Sequence, residues 1–204
     1  MKRVCLLIAA AVMLLGGFME YAAAADDPNT AKQLNLNIIG ARKQLPEDWE
    51  PADQQDEIGV DFDIRGHGWP VSLNFVYLYA TDKGTAEAII EQNNVTTSFT
   101  SIEREAITQE VSAGLKKIWT NEYGFSLFVS GGADWIKGSV EFTNVSTFEE
   151  SKMGWYAGAG GYYTMFNLIN VGVWGRYSDA PLTIAGTELN AGGWHYGALA
   201  GIRF

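Results

Sequence analysis

From residue 33 onward the chain alternates apolar and polar positions with a period of two, which predicts strands with two unlike faces. Eight segments carry the pattern. The first sets Leu34, Leu36 and Ile38 against Gln33, Asn35 and Asn37. The second sets Ile58, Val60, Phe62 and Ile64 against Gly59, Asp61, Asp63 and Arg65. The third sets Val71, Leu73, Phe75, Tyr77 and Tyr79 against Ser72, Asn74, Val76 and Leu78. The fourth opposes Val111, Ala113 and Leu115 to Glu110, Ser112, Gly114 and Lys116. The fifth opposes Phe125, Leu127, Val129, Ala133 and Trp135 to Ser126, Phe128, Ser130 and Asp134. The sixth, 155–165, is glycine-rich and aromatic on both faces, and Trp155, Ala157, Ala159 and Tyr163 are assigned to its apolar side. The seventh opposes Ile169, Val171, Val173 and Tyr177 to Asn170, Gly172, Trp174 and Arg176. The eighth opposes Trp194, Tyr196, Ala198, Ala200, Ile202 and Phe204 to His195, Leu199 and Arg203.

The connections alternate in length. Three are tight, at Gly66-His67-Gly68, Thr120-Asn121-Glu122 and Phe166-Asn167. Four are long, near 42–56, 81–105, 137–152 and 179–190. Within 81–105, Thr85–Glu91 fits either a short helix or a strand extension. Short turns on one side and long loops on the other suit a membrane barrel with its long loops outside the cell and both termini in the periplasm.

No segment after the first 25 residues holds the roughly 20 apolar residues of a spanning helix. A closed barrel can still cross a bilayer, because each strand shows lipid only its alternate residues and closure satisfies every backbone group. Charge placement separates this from a soluble sandwich. The polar faces carry Asp61, Asp63, Arg65, Glu110, Lys116, Asp134, Arg176 and Arg203, which a soluble apolar core would reject. Aromatics gather near strand ends in two groups: Trp69, Trp119, Tyr123, Phe125, Tyr163 and Phe204 at one, Tyr77, Tyr79, Trp135, Trp155, Tyr177 and Trp194 at the other. Two girdles about 25 Å apart mark a membrane barrel. The expected fold is an all-β, eight-stranded antiparallel transmembrane barrel.

The start of the chain reads as a secretory signal peptide: Lys2 and Arg3, an apolar run from Val4 to Met19, and small residues Ala23 and Ala25 at a cleavage site. The expected organisation is a signal peptide at 1–25 and a barrel domain at 26–204, with Asp26 as the mature start. The one cysteine, Cys5, falls within the signal, so disulfides and thiolate metal sites are excluded from the mature protein. Taking Lys2, Arg3 and Glu20 from the 14 basic and 24 acidic residues leaves a net charge of −11. That excludes nucleic acid as a partner, since phosphate binding needs a basic surface.

The chain ends Tyr196-Gly-Ala-Leu-Ala-Gly-Ile-Arg-Phe204, with Tyr196, Ala198, Ala200, Ile202 and Phe204 alternating on one face. This resembles the C-terminal signal read by the outer-membrane assembly machinery. With the eight strands and the signal peptide, the chain resembles the small outer-membrane β-barrel superfamily that includes the OmpA membrane domain, OmpX and OmpW. Asp48-Trp49-Glu50-Pro51, Trp69-Pro70-Val71, Arg176-Tyr177-Ser178 and Ala191-Gly192-Gly193 carry a likeness to a poorly characterised group within it. The resemblance implies an outer-membrane location. Its expected partners are membrane lipid, lipopolysaccharide and, during biogenesis, the assembly machinery. It supplies no catalytic residues, and a peptidoglycan-binding domain does not carry over.

Candidate chemistry is sparse. His67 reads as a solvated turn residue. His195 is expected inside the barrel, hydrogen-bonded, and is the one plausible centre for a lipid-modifying enzyme. Serines such as Ser178 have no assignable place beside it. The 42–57 run carries Glu47, Asp48, Glu50, Asp53, Asp56 and Glu57 but lacks the spacing of a calcium loop. No phosphate loop, dinucleotide fingerprint or metal motif is present, and no cofactor or metal is expected. An eight-stranded barrel is just wide enough for side chains to fill, so the inward charges should pair as a plug. Arg176 and Glu110 fall at similar depth and are expected in one network with Asp61 or Asp134. The expected role is structural or surface-interacting, as a monomer without catalysis. A narrow channel is the first alternative, which Val76, Leu78, Phe128, Trp174 and Leu199 would line, and a lipid-modifying enzyme is the second.

Overall fold

Alternation builds the expected sheet. A computed structural model describes residues 32–46, 53–92, 95–142, 146–184 and 187–204. The expected signal peptide, with Cys5, Ala23 and Ala25, lies outside the described residues, as do Glu47, Asp48 and Glu50. The strands are β1 (Gln33–Gln44), β2 (Gln54–Arg65), β3 (Ser72–Gln92), β4 (Val95–Thr120), β5 (Phe125–Phe142), β6 (Ser146–Met165) and β7 (Ile169–Asp179). They continue as β8 (Pro181–Ile184), β9 (Thr187–Asn190) and β10 (Gly193–Arg203). Eight of these close an antiparallel barrel in the order β1-β10-β7-β6-β5-β4-β3-β2, while β8 and β9 form a separate hairpin. The seam joins the two ends of the chain: Leu34 N–H donates to Phe204 O at 3.0 Å, and Phe204 N–H donates to Leu34 O at 2.8 Å.

The inward and outward phase of every barrel strand matches the alternation, including the glycine-rich β6. Its register pairs Ala133 with Trp155 and Val129 with Ala159, all facing out. The outer surface is a belt of exposed apolar side chains, among them Ile38, Ile58, Leu115, Leu127, Val129, Val171 and Val173. In water such a belt would be an unstable patch; against lipid it is the matching solvent. At its outer edge Trp155, Tyr177 and Trp194 stack in a row, with ring centroids 5.8 and 5.1 Å apart. At its inner edge lie Trp69, Trp119, Phe125 and Tyr163.

The long connections differ from expectation. Most of what reads as loop is strand. β3 runs to Gln92 and β4 starts at Val95, so Thr85–Glu91 is a strand extension. β5 and β6 likewise reach Phe142 and Ser146. The 26 residues of β4 cover about 86 Å at 3.3 Å per residue, whereas about 10 tilted residues cross a bilayer. The β3–β4 and β5–β6 hairpins therefore project well beyond the apolar belt. Their sequences hide this because polar residues occupy both faces once lipid is left behind. The 179–190 connection contains the β8–β9 hairpin.

The tight turns behave as expected. At Met165–Leu168 the chain reverses with Phe166 and Asn167 both at positive φ, 55° and 54°, and Leu168 N–H donates to Met165 O at 3.0 Å. Two such residues give the primed turn that matches strand twist. Asn tolerates this conformation; Phe166 does so at some strain, with its ring 90% exposed.

Candidate functional site

The interior is the place where this sequence spends its polar residues. Nearest the tight turns, Arg65 donates to Gln33 Oε1 at 2.7 Å. Asn170 Nδ2 donates to Asn35 Oδ1 at 3.1 Å and Asn37 Oδ1 at 3.3 Å, linking β7 to β1 across the seam strand β10. Arg203 is half-buried at this rim, not in either of the ion clusters below.

The first ion cluster sits just above. Lys116 on β4 donates to Asp61 Oδ2 at 2.5 Å and Asp63 Oδ2 at 3.1 Å, and all three side chains are at most 2% exposed. Asn35 and Asn74 donate to the same carboxylates at 2.9 and 2.5 Å. The aliphatic end of the cluster is closed by Phe128, over whose ring the Lys116 ammonium lies at 4.5 Å. With Asn37 also donating to Asp61 Oδ2 at 3.5 Å, a buried ammonium with two carboxylates and three amide donors is saturated, which is what makes its burial tolerable.

An apolar cluster fills the interior alongside: Ile39, Val76, Leu78, Ile118, Phe128, Tyr162, Trp174 and Leu199. The five residues that would line a hydrophobic path are all in it, packed against one another rather than around a passage. Glycine makes the room. A Cβ on Gly160 would strike the Phe128 ring, and one on Gly172 would strike Tyr162. Each of these inward glycines stands opposite the bulky residue on the neighbouring strand, Gly160 across from Phe128 and Gly172 across from Tyr162, and lets its ring lie over the strand backbone.

The second ion cluster lies on the far side, toward the projecting hairpins. Arg176 donates to Glu110 Oε2 at 2.8 Å, to Ser112 Oγ at 3.0 Å and to Asp134. Its cation lies 4.6 Å from the centre of the Tyr156 ring. The expected pairing of Arg176 with Glu110 and Asp134 is thus what the strand levels deliver. The single expected network is instead two clusters, joined through Tyr156, whose hydroxyl donates to Asn74 Oδ1 at 3.1 Å. Two members escape a reading of 42–57 as a loop. Lys43 donates to Glu110 Oε1 at 2.5 Å, to Thr108 Oγ1 at 3.1 Å and to Ala191 O at 2.6 Å. Glu57 accepts from His195 Nδ1 at 2.7 Å. Strand parity could have found both: Lys43 extends the inward series from Asn35, and Glu57 extends it from Asp63.

His195 is buried, as expected, and its other nitrogen shares a hydrogen bond with Ser178 Oγ at 3.0 Å. Serine, imidazole and carboxylate therefore stand in the order of an acyl-transfer triad. Catalysis also needs room for a carbonyl beside the serine and donors for its developing oxyanion. Ser178 is fully buried, and a second apolar cluster of Leu45, Ile136, Ala180, Leu182 and Ala191 lies at this outer end of the interior. Within this packing the trio orients the imidazole. Glu57, Glu110 and His195 also offer ligand atoms within 4.8 Å of one another. Both oxygens of Glu110 are already engaged by Lys43 and Arg176, so a metal would have to displace an ammonium.

The β8–β9 hairpin caps this end. Asn190 holds it down: its Oδ1 accepts from Ala180 N at 3.0 Å and Gly192 N at 2.9 Å, and its Nδ2 donates to Asp179 Oδ1 at 2.6 Å.

A closed barrel of eight antiparallel strands has solved counterparts. OprG from Pseudomonas aeruginosa aligns over 86% of this chain and 97% of its own with a TM-score of 0.65 at 9% identity. The fold is that of the small outer-membrane β-barrels. The N-terminal barrel domain of OprF, from the same organism, covers 84% of this chain and 97% of its own, with a TM-score of 0.54 and 14% identity. Ail, the attachment invasion locus protein of Yersinia pestis, in complex with the heparin analogue sucrose octasulfate, covers 85% and 99%, with a TM-score of 0.52 and 17% identity. No family model and no curated protein sequence matches the chain. A closed barrel of this kind presents two surfaces for function, its interior and its projecting hairpins.

Proposed function

We propose that this protein is an outer-membrane barrel that conducts nothing and acts at the cell surface, through the hairpins that rise beyond the lipid belt. The observation that carries this reading is the filled interior. From Asn35 and Asn37 near the periplasm to Ser178 and His195 near the outside, inward side chains are buried to within a few per cent. A water-filled conduit would leave its lining accessible. An internal plug also gives the hairpins a rigid base, because the projecting strands are tied below by ion pairs, packed rings or, on β3, the hydrogen bonds of Asn74 to Asp61 and Tyr156.

Ail shows that a barrel of this size can present a surface to a polysulfated ligand. The present chain, with a formal net charge of −10, favours a partner that is neutral or basic. The test pairs two measurements. Purified protein in planar bilayers should give no stepwise conductance. Whole cells treated with an external protease should lose the β3–β4 and β5–β6 tips while the barrel core survives. Stable single-channel steps would overturn the reading.

A further inference from the structure

Ser178, His195 and Glu57 stand where the barrel wall gives way to the β8–β9 hairpin. Ser178 pairs with Gly193 at the end of the β7–β10 ladder, and β7 stops one residue later at Asp179. His195 on β10 reaches past β1 to Glu57 Oε2 on β2 at 2.7 Å, and in the other direction to Ser178 Oγ at 3.0 Å. A ring with its proton on Nδ1 meets both contacts: it donates to Glu57 and accepts from the Ser178 hydroxyl. That tautomer is the one a general base needs. The Trp174 ring meets the imidazole edge-on at 6.1 Å and holds its plane. Glu110 Oε1 lies 3.5 Å from Nε2, so a proton arriving on that nitrogen finds a second carboxylate beside it.

The roots of the hairpin hold the donors that the trio lacks. The backbone N–H groups of Ala180 and Gly192 converge on a single oxygen, Asn190 Oδ1, at 3.0 and 2.9 Å. Backbone donors aimed together at one carbonyl oxygen have the form of an oxyanion hole. They stand close to the serine. Ala180 follows it by two residues, and a Cβ on Gly192 would lie 2.2 Å from the Ser178 carbonyl oxygen. The room is filled by the hairpin itself. Leu182 joins Leu45 and Ile136 in the outer apolar cluster, with Leu189 packed against it. A hairpin lifted about its roots takes Leu182, Leu189 and Asn190 away and leaves Leu45 and Ile136 lining an apolar slot.

We propose that the outer end of the barrel is a serine esterase site for aliphatic carboxylic esters, held shut by the β8–β9 hairpin with the Asn190 amide in the seat of the substrate carbonyl. This activity is independent of any partner of the longer hairpins. With the hairpin lifted, Ser178 Oγ bonds to the ester carbonyl carbon while His195 Nε2 takes the hydroxyl proton. The oxygen that becomes negative is received by the Ala180 and Gly192 N–H groups. The bond to the alcohol oxygen then breaks, and the alcohol leaves with the proton from Nε2. Water attacks the acyl-serine in the same way: its proton passes to Nε2, the bond to Oγ breaks, Ser178 regains a proton and the carboxylic acid departs. Glu57 touches no substrate and positions the imidazole.

The test uses the full barrel in detergent micelles and a fluorophosphonate, which bonds covalently to an activated serine, with mass spectrometry to place the label. Asn190→Ala removes three hydrogen bonds that hold the hairpin down, worth about tenfold or more in its opening. The label should fall on Ser178, and faster than in the native barrel by that factor. Clipping β8–β9 by limited proteolysis of the native barrel should give the same gain without a substitution. In the Asn190→Ala background S178A should lose the label and H195Q should slow it by about a hundredfold, with heat-modifiable gel mobility showing that each barrel is folded. E57Q should slow labelling as well, and E57D should restore part of the rate; a Glu57 that only stabilises the fold would leave the rate of the folded barrel unchanged. The opened barrel should hydrolyse para-nitrophenyl octanoate faster than the acetate. A label on Ser178 by either route of opening supports the site. Absence of label from both the variant and the clipped barrel, label on another serine, an undiminished rate in H195Q, or acetate turned over as fast as octanoate would each overturn the proposal.

Discussion

Replacing Arg176 with Leu tests the plug most directly. The guanidinium is about 1% exposed, as are its partners, and it serves Glu110, Asp134 and Ser112 at once while lying on the Tyr156 ring. Leucine keeps much of the volume but leaves two carboxylates facing each other in a dry space. Removing one partner of a buried ion pair costs about 3–5 kcal/mol, mostly the price of the stranded charge. The reference is Arg42→Leu, whose ion pair with Asp56 spans 3.6 Å between side chains 62% and 85% exposed. Exposed pairs contribute about 0–1 kcal/mol. Urea unfolding in micelles, followed by tryptophan fluorescence and by heat-modifiable gel mobility, should separate the two variants by about 3 kcal/mol, over a hundredfold in equilibrium constant. Arg176→Leu combined with Asp134→Asn should recover much of the loss, because Glu110 then keeps Lys43 as its partner. If Arg176→Leu costs no more than Arg42→Leu, the plug is not held by charge pairing and the reasoning fails.

Three further outcomes are expected. Gly160→Val should place methyl groups against the Phe128 ring and destabilise the barrel by about 1–3 kcal/mol through overpacking, while Gly40→Val, whose Cβ meets nothing within 4 Å, should leave the unfolding midpoint nearly unchanged. Asn190→Ala should free the β8–β9 hairpin for proteolysis without opening a conductance, since the inner apolar cluster remains; channel steps in this variant would show that the hairpin alone seals the barrel. Deleting Phe204 should lower the folded, heat-modifiable fraction in cells more than deleting any one residue of the β3–β4 tip; equal yields would count against a role for the terminal aromatic in assembly.

The barrel was legible because lipid imposes a strict alternation: Ile38, Ile58, Val111 and Val173 could face only outward, and their neighbours followed. Even β6, with little contrast between its faces, kept phase through Trp155 and Tyr163. Legibility ended where the lipid did. Above the belt, Arg42, Lys43 and Gln44 are polar on both faces, so a strand there looks like a loop. Lys43 and Glu57 were missed for that reason, although parity alone carries the inward series to both. Ser178 lies on the same face as Arg176, but its meeting with His195 depends on the β7–β10 register. That register is set after a connection containing its own hairpin, and no local rule yields it. The pairing of Arg176 with Glu110 was readable because both depths count from tight turns.

The seam between β1 and β10 bears on how the molecule comes to exist. Seven of the eight strand pairings join neighbours in sequence or segments separated by one short hairpin, and each can zip from its own turn. The eighth brings Asn35 to Arg203 and Gln44 to Trp194, and it alone spans the chain. Until the last strand arrives, the meander has two open edges, each a template for the wrong partner. Synthesis delivers one edge first and its mate last. The interval between them is the period in which this protein most needs a chaperone, and its length is set by the whole of the chain between.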